Sequence, residues 1–185
     1  MNSTKEILQK VFEVEAKQKQ PNRLRIDADK KIVPAVLLYL KNQLGFIHLN
    51  HISCVDWIEN GVFELVYIVW NPNTKETVLV HTNIDRANPE MENIDTIWDQ
   101  ANTYEREMRE MFGIEFTGLV GNKEFILEDW TEMPPMRRDF DTAAYAKKTY
   151  QTRPGRENAQ SVRETLTNRT GEELPDFARK YSRDN

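Results

Sequence analysis

Apolar positions recur at two different periods along this 185-residue chain, and the changes of period mark its elements. Residues 4–18 place Ile7, Leu8, Val11 and Phe12 at helical spacing with Lys and Glu between them. With Ser3 or Thr4 as a cap, they predict a short amphipathic helix. RLRIDAD, residues 23–29, alternates as an edge strand does. Val33, Val36, Leu37, Leu40 and Leu44 make the next helical stripe, with Pro34 suited to its first turn and Gly45 to its end.

From Phe46 to Asp85 the period falls to two, in FIHLNHISCVDWI, VFELVYIVW and ETVLVHTNI. These predict an antiparallel meander, with Asn60-Gly61 as a two-residue hairpin turn and Asn71-Pro72-Asn73 as the second break. In the middle strand both alternating sets are apolar: Phe63, Leu65, Tyr67 and Val69 on one side, Val62, Val66, Ile68 and Trp70 on the other. That pattern predicts burial on both faces, with helices over at least one. Ile94, Ile97, Trp98, Ala101, Tyr104, Met108, Met111 and Phe112 then follow at three- and four-residue steps up to Gly113, predicting a helix of about five turns.

Beyond Asp141 only 12 of 45 residues are hydrophobic, too few for a separate core. The expectation is an α+β fold, an antiparallel sheet of about four strands packed with helices over residues 1–140, followed by an extended C-terminal tail over 141–185.

Composition narrows the function. Cys54 is the single cysteine, so the chain holds no thiolate set for zinc or an iron–sulfur cluster, and any redox cofactor is expected in another chain. His48 and His51, three apart in a strand, are expected on opposite faces, and His81 stands alone, which argues against zinc. The net charge is −5, and residues 85–132 hold thirteen acids against four bases, which disfavours nucleic acid. No stretch is long and apolar enough to span a bilayer, and the start lacks a signal pattern, so a cytoplasmic location is expected. No phosphate loop, dinucleotide fingerprint or nucleophile elbow is present.

Two clusters remain as candidates. Glu105, Arg106, Glu107 and Glu110 crowd the end of the long helix. They fit either an acid–base carboxylate pair or an exposed face laced by Glu105–Arg109 and Arg106–Glu110 pairs. DWTEMPPMRRDF, residues 129–140, stiffens its backbone at Pro134-Pro135 and then presents Arg137, Arg138 and Asp139. It is either a docking strap, its guanidiniums matched to partner carboxylates, or a polar loop over the sheet.

Together, IDTIWDQANTYEREMREMFGIEF (94–116) and LEDWTEMPPMRRDF (127–140) resemble the 30-kilodalton subunit of respiratory complex I and its counterpart in energy-converting, membrane-bound [NiFe] hydrogenases. The residues that carry the resemblance are Glu105, Arg106, Glu107, Glu110, Gly113, Ile114, Phe116, Gly118, Asp129, Trp130, Pro135, Arg137, Arg138, Asp139 and Phe140. It extends over roughly residues 20 to 150 and leaves out the last 35. Glu110 stands where the family has Asp, Leu119-Val120 replaces a common His-Pro, and Thr-Glu-Met-Pro-Pro follows Trp130 in place of a shorter Gly-His-Pro link. The Pro-Pro-Met-Arg-Arg version is similar to the hydrogenase-like and ferredoxin-using branches.

The resemblance implies a cofactor-free scaffold in the hydrophilic arm of an ion-translocating electron-transport complex, on the cytoplasmic face of the membrane and attached to it only through partners. It implies packing against the large [NiFe]-hydrogenase-like or 49-kilodalton-type subunit, near a small iron–sulfur subunit, with iron–sulfur clusters and [NiFe] held in those partners. The expected contact residues are Glu105, Arg106, Glu107, Met108, Glu110, Phe112, Gly113, Asp129, Trp130, Pro134, Pro135, Arg137, Arg138, Asp139 and Phe140, with the arginines pairing with partner carboxylates and Met108, Met111 and Phe112 giving apolar contact, against the alternative that most of this Met and aromatic stripe is core packing. The alternatives are the same subunit in an NADH-, ferredoxin- or F420H2–quinone complex, an adaptor unrelated to redox, and a carboxylate-dependent hydrolase.

Overall fold

The computed structural model describes residues 2–121 and 124–150, in two compact units that divide after Phe140. In the first unit, helix α1 (Asn2–Phe12) leads to strands β1 (Glu15–Gln20) and β2 (Arg23–Asp27), helix α2 (Val33–Leu44), and strands β3 (His48–Trp57), β4 (Val62–Asn71) and β5 (Glu76–Asp85). The short strand β6 (Glu90–Glu92), helix α3 (Ala101–Phe112) and strand β7 (Glu115–Thr117) complete it. The sheet runs β1-β2-β5-β4-β3, while β6 pairs with β7 in parallel. The fold is α+β, with five strands in the main sheet where about four were expected.

Helix α2 matches its sequence signals: Pro34 lies in its first turn, and the Gly45 N–H bonds Leu40 O at its end. The first helix is shorter than expected. It stops at Phe12, Glu13 turns at φ 56°, and residues 15–20 pair antiparallel with β2 as a strand. Thr4 lies inside that helix, where its hydroxyl donates to the buried Glu76 carboxylate at 3.1 Å and so ties α1 to the start of β5. Strand β2 is interior rather than an edge, because it also pairs in parallel with β5. The true edges are β1, blunted by Lys17 and Lys19, and β3. Along β3, Trp98 Nε1 donates to Ile47 O, Gln100 to Leu49 O and the Tyr104 hydroxyl to Asn50 O, so side chains occupy carbonyls at this edge.

The connection from β3 to β4 is longer than a two-residue turn. A 3-10 turn over Ile58–Asn60 precedes Gly61 at φ 66°, whose N–H bonds Ile58 O. The register slips between Leu49 and His51, so His48 faces Trp70 and His51 faces Ile68. Since Ile68 and Trp70 share a side of β4, that bulge puts both histidines on one face, against the expectation of opposite faces.

One face of the sheet is the core. Leu24, Ile26, Leu49, Ile52, Phe63, Leu65, Tyr67, Val69, Val78 and Val80 are buried there in one cluster with Leu8, Val36, Leu37, Leu40, Met108 and Phe112 of the helices. Burial on both faces of β4 is only partly realised: Val66 is buried, but Val62, Ile68 and Trp70 are half-buried, and Val55 and Trp57 beside them are exposed.

The five-turn helix is also shorter than expected. Ile94, Ile97 and Trp98 are buried as the stripe required, but residues 94–100 form turns and α3 begins at Ala101. The Asn93 side chain accepts from the Asp95 N–H and the Glu105 carboxylate from the Ile94 N–H, so both backbone donors are satisfied by side chains ahead of α3. In the second unit, Asp141 caps helix α4 (Thr142–Thr149), accepting from Ala143 N and Ala144 N. A helix therefore stands where an extended tail was expected; the rest of that tail, residues 151–185, lies outside the described residues.

Candidate docking surface

Helix α3 is amphipathic, and its inner stripe is Ala101, Glu105, Met108 and Phe112, all buried. Glu105 is fully enclosed. One carboxylate oxygen accepts the Ile94 N–H at 2.8 Å; the other is buried with no protein partner, as is the Tyr67 hydroxyl. Burial raises the Glu105 pKa to about 8, against the lowering effect of the Ile94 bond and with some help from Asp95. Met108 and Phe112 belong to the same interior, and Phe112 packs edge-on to Phe63 at 5.9 Å.

Glu105, Met108 and Phe112 therefore face the subunit's own core, which is the core-packing alternative for Met108 and Phe112 and leaves Glu105 no exposed atom for a contact. Of the two expected i,i+4 pairs, Glu105–Arg109 is not formed, since Glu105 points inward and Arg109 reaches Glu115 at 3.7 Å, while the Arg106 charge does act on Glu110. Arg106, Glu107, Arg109 and Glu110 remain half-exposed.

Glu110 grips the loop that follows. Its carboxylate accepts three successive backbone N–H groups, from Phe125 at 2.5 Å, Ile126 at 2.8 Å and Leu127 at 2.9 Å. Burial acts to raise its pKa, but those bonds and the Arg106 charge hold it below the usual glutamate value. Arg106, one turn earlier, donates to Glu124 O. Between this loop and α3 lies a cleft of about 340 Å³ lined by Arg106, Arg109, Glu115, Leu127 and Trp130.

The strap over residues 129–140 is fastened to the domain at each step. Asp129 adopts φ 53°, with its N–H on Glu124 Oε1 at 3.2 Å. Trp130 donates to Met133 O at 3.1 Å and lies 5.7 Å from the Phe140 ring. The Met136 N–H bonds Met111 O at 3.0 Å, and Arg137 Nε donates to Phe112 O at 2.7 Å, a cation on the carbonyl end of α3. The Arg137 guanidinium also lies 5.2 Å from the Phe63 ring.

Arg138 grips Glu59 with contacts of 2.6 and 2.8 Å, and its backbone N–H donates to Asp56 at 2.9 Å. Arg86 forks onto Asp56 at 2.8 and 3.1 Å and reaches Asp139 at 2.6 Å. Arg137, Arg138 and Asp139 thus bind the strap to its own sheet. Within this chain both arginines are thus engaged by its own groups, as the polar-loop alternative for this segment requires.

Gly113, at φ 75°, joins helix to strap. A Cβ there would meet Pro134 Cγ at 3.1 Å and an Arg137 terminal nitrogen at 3.2 Å. Gly113→Ala is expected to lower stability by about 1–2 kcal/mol, from left-handed strain together with that crowding, read as a lower urea midpoint at unchanged m.

The sequence reading missed a second polar cluster. Glu64 Oε1 accepts from Arg25 at 3.1 Å and lies 2.7 Å from His81 Nδ1, while Oε2 accepts from Trp57 Nε1 at 2.9 Å; Arg25 also binds Asp27. The signal was present, since Arg25 and Asp27 alternate with the apolar Leu24 and Ile26 on β2. Among the described residues no group of three His, Cys, Asp or Glu side chains could hold a metal, and no helix is long and apolar enough to cross a membrane.

Residues 26–146 match the family described as respiratory-chain NADH dehydrogenase, 30 Kd subunit. The chain belongs to this family. It is 32% identical over 128 residues to the C-type polypeptide of the F(420)H(2) dehydrogenase of Methanosarcina mazei, across 69% of this chain and 81% of that one. The C/D polypeptide of the NADH-quinone oxidoreductase of Phocaeicola vulgatus is 31% identical over 121 residues, 64% of this chain but 22% of the relative. Among solved structures, a polypeptide of the membrane-bound sulfane sulfur reductase, an archaeal respiratory membrane complex, is similar at a TM-score of 0.76 and 31% identity, over 87% of this chain and 98% of that one. This 30 Kd-type protein is accordingly one subunit of a multi-subunit, complex I-like oxidoreductase.

Proposed function

We propose that this subunit is a cofactor-free scaffold in the hydrophilic arm of a membrane-bound, ion-translocating complex of the hydrogenase-like branch, on the cytoplasmic face. It packs against the large [NiFe]-type, or 49-kilodalton-type, subunit, near the small iron–sulfur subunit, and those partners hold the iron–sulfur clusters and the [NiFe] centre. The observation that carries this reading is the joining of the α3 end and the strap into one braced surface by the Met136–Met111 and Arg137–Phe112 bonds. The C/D relative adds support, because its name pairs a C part with a D part in one polypeptide more than four times the matched length. Pro134-Pro135-Met136 supports the hydrogenase-like branch.

The roles differ along the surface. Arg106, Glu107, Trp130, Pro134, Pro135 and Phe140 are half-buried and Asp129 is exposed, so parts of each remain for a partner. Interfaces of this kind gain most from a few rigidly held apolar anchors within a polar rim. Purification of the tagged full chain from native membranes in mild detergent tests the assignment. A large subunit that holds iron and nickel is expected to co-purify. Partners without iron would overturn the redox assignment in favour of an adaptor. A second reading, a quinone-type complex, draws on the 32% identity to the F(420)H(2) dehydrogenase polypeptide; iron without nickel would select it.

A further inference from the structure

The loop at 124–127 is held from one face of α3. Arg106 donates to its first carbonyl, and Glu110 takes the next three N–H groups. With these bonds in place the loop leaves Ile126 69% exposed, and Val120, earlier in the same excursion, is 82% exposed. Ordering the loop costs chain entropy, and the fold gains no burial of Ile126 in return. A large apolar side chain fixed outward at little further ordering cost is what an interface anchor requires. The exposed acids Glu124, Glu128 and Asp129 flank it in the sequence.

We infer that Ile126, together with Val120, is the apolar anchor that seats this subunit in a pocket of the large partner subunit rimmed by lysine or arginine. Arg106 and Glu110 are positioning residues for that anchor. The acidic flank supplies the charge complementarity, and the loop runs directly into the braced strap. The inference rests on the docking reading above and places the apolar contact outside the Met108–Phe112 turn and the arginine pair.

The test replaces the native chain in cells with tagged full-length variants and measures the large subunit recovered. Ile126→Ser with Val120→Ser is expected to lower recovery about thirtyfold, the loss typical of a truncated hot spot, with the unfolding midpoint of the purified chain unchanged. Glu128→Lys is expected to lower recovery several-fold, most at low salt. Glu110→Ala is expected to lower recovery and to speed hydrogen exchange at the amides of residues 125–127, with Glu110→Gln restoring part of both.

Full recovery with the Ile126/Val120 double variant, while the unmodified chain still brings down the large subunit, would overturn the anchor and leave the docking reading standing. Recovery raised by Glu128→Lys would overturn the basic rim. An unmodified chain that recovers no large subunit would overturn both the anchor and the docking reading.

Discussion

Glu105→Gln is expected to stabilise the protein at pH 8.5 while leaving it nearly unchanged at pH 5. In the folded chain the Glu105 carboxyl is fully enclosed and its pKa is raised from 4.5 to about 8. Between those two values the folded state keeps a proton that the unfolded state has released. Stability therefore falls as pH rises from about 4.5 to about 8 and levels off above, where both states are ionised. At 1.36 kcal/mol per pKa unit the full fall is roughly 3–5 kcal/mol.

The charged group that raises the pKa further is Asp95, and the neutral neighbours include Tyr67, whose own pKa is raised by burial and then by Glu105. Glutamine keeps an oxygen for the Ile94 N–H and carries no charge to bury. Urea midpoints at pH 5, 7 and 8.5 should decline for the native chain and stay flat for the variant. Parallel decline in both would show that Glu105 is not the titrating group. Glu105→Ala is expected to lose stability at every pH, because the Ile94 N–H then lacks its acceptor.

What the sequence made legible depends on how local each signal is. Pro34 and Gly45 bracket α2 within its own residues, and the helix lies between them. The parallel β2–β5 pairing joins Arg23–Asp27 to Thr77–His81 across the whole β3–β4 excursion, and alternation within either strand carries no trace of it. Ile94, Ile97 and Trp98 are buried as their helical spacing implies, yet their backbone forms turns rather than the start of the helix, a break that the spacing of apolar residues does not mark.

Glu105 was legible in one respect. It sits four residues after Ala101 and three before Met108, on the buried stripe itself, and reading the Glu-Arg-Glu run as charge alone concealed that position. The strap residues were found from composition and resemblance, but their attachments were not: Asp56 meets Arg86 thirty residues on and Arg138 eighty-two residues on. A double arginine looks the same in a sequence whether it awaits a partner or already holds one.

Removing Asp56 is expected to detach that strap. Its side chain is 2% exposed, lies between β3 and the strap, and accepts both prongs of Arg86 and the Arg138 N–H. Asp56→Ala leaves the Arg86 guanidinium, 15% exposed over the Phe63 ring, with Asp139 alone, and leaves the Arg138 N–H without its acceptor. Truncating one partner of a buried, hydrogen-bonded ion pair costs roughly 3–5 kcal/mol.

Burial acts to raise the Asp56 pKa, but the bonds from Arg86 and Arg138 outweigh it and hold the carboxyl below its ordinary value. Its contribution is thus complete above the unfolded pKa of about 4 and is lost as pH falls through the lower folded value. Asp56→Asn should retain the Arg138 bond, lose the charge, and flatten that part of the acid limb. Urea unfolding at pH 7 should place Ala below Asn and Asn below the native chain, and proteolysis around residues 130–140 should accelerate in the same order. Equal cleavage rates across the three chains would mean that the strap is held by its other fastenings, Met136–Met111, Arg137–Phe112, Arg138–Glu59 and Arg86–Asp139, with Asp56 serving only as a counter-ion of Arg86.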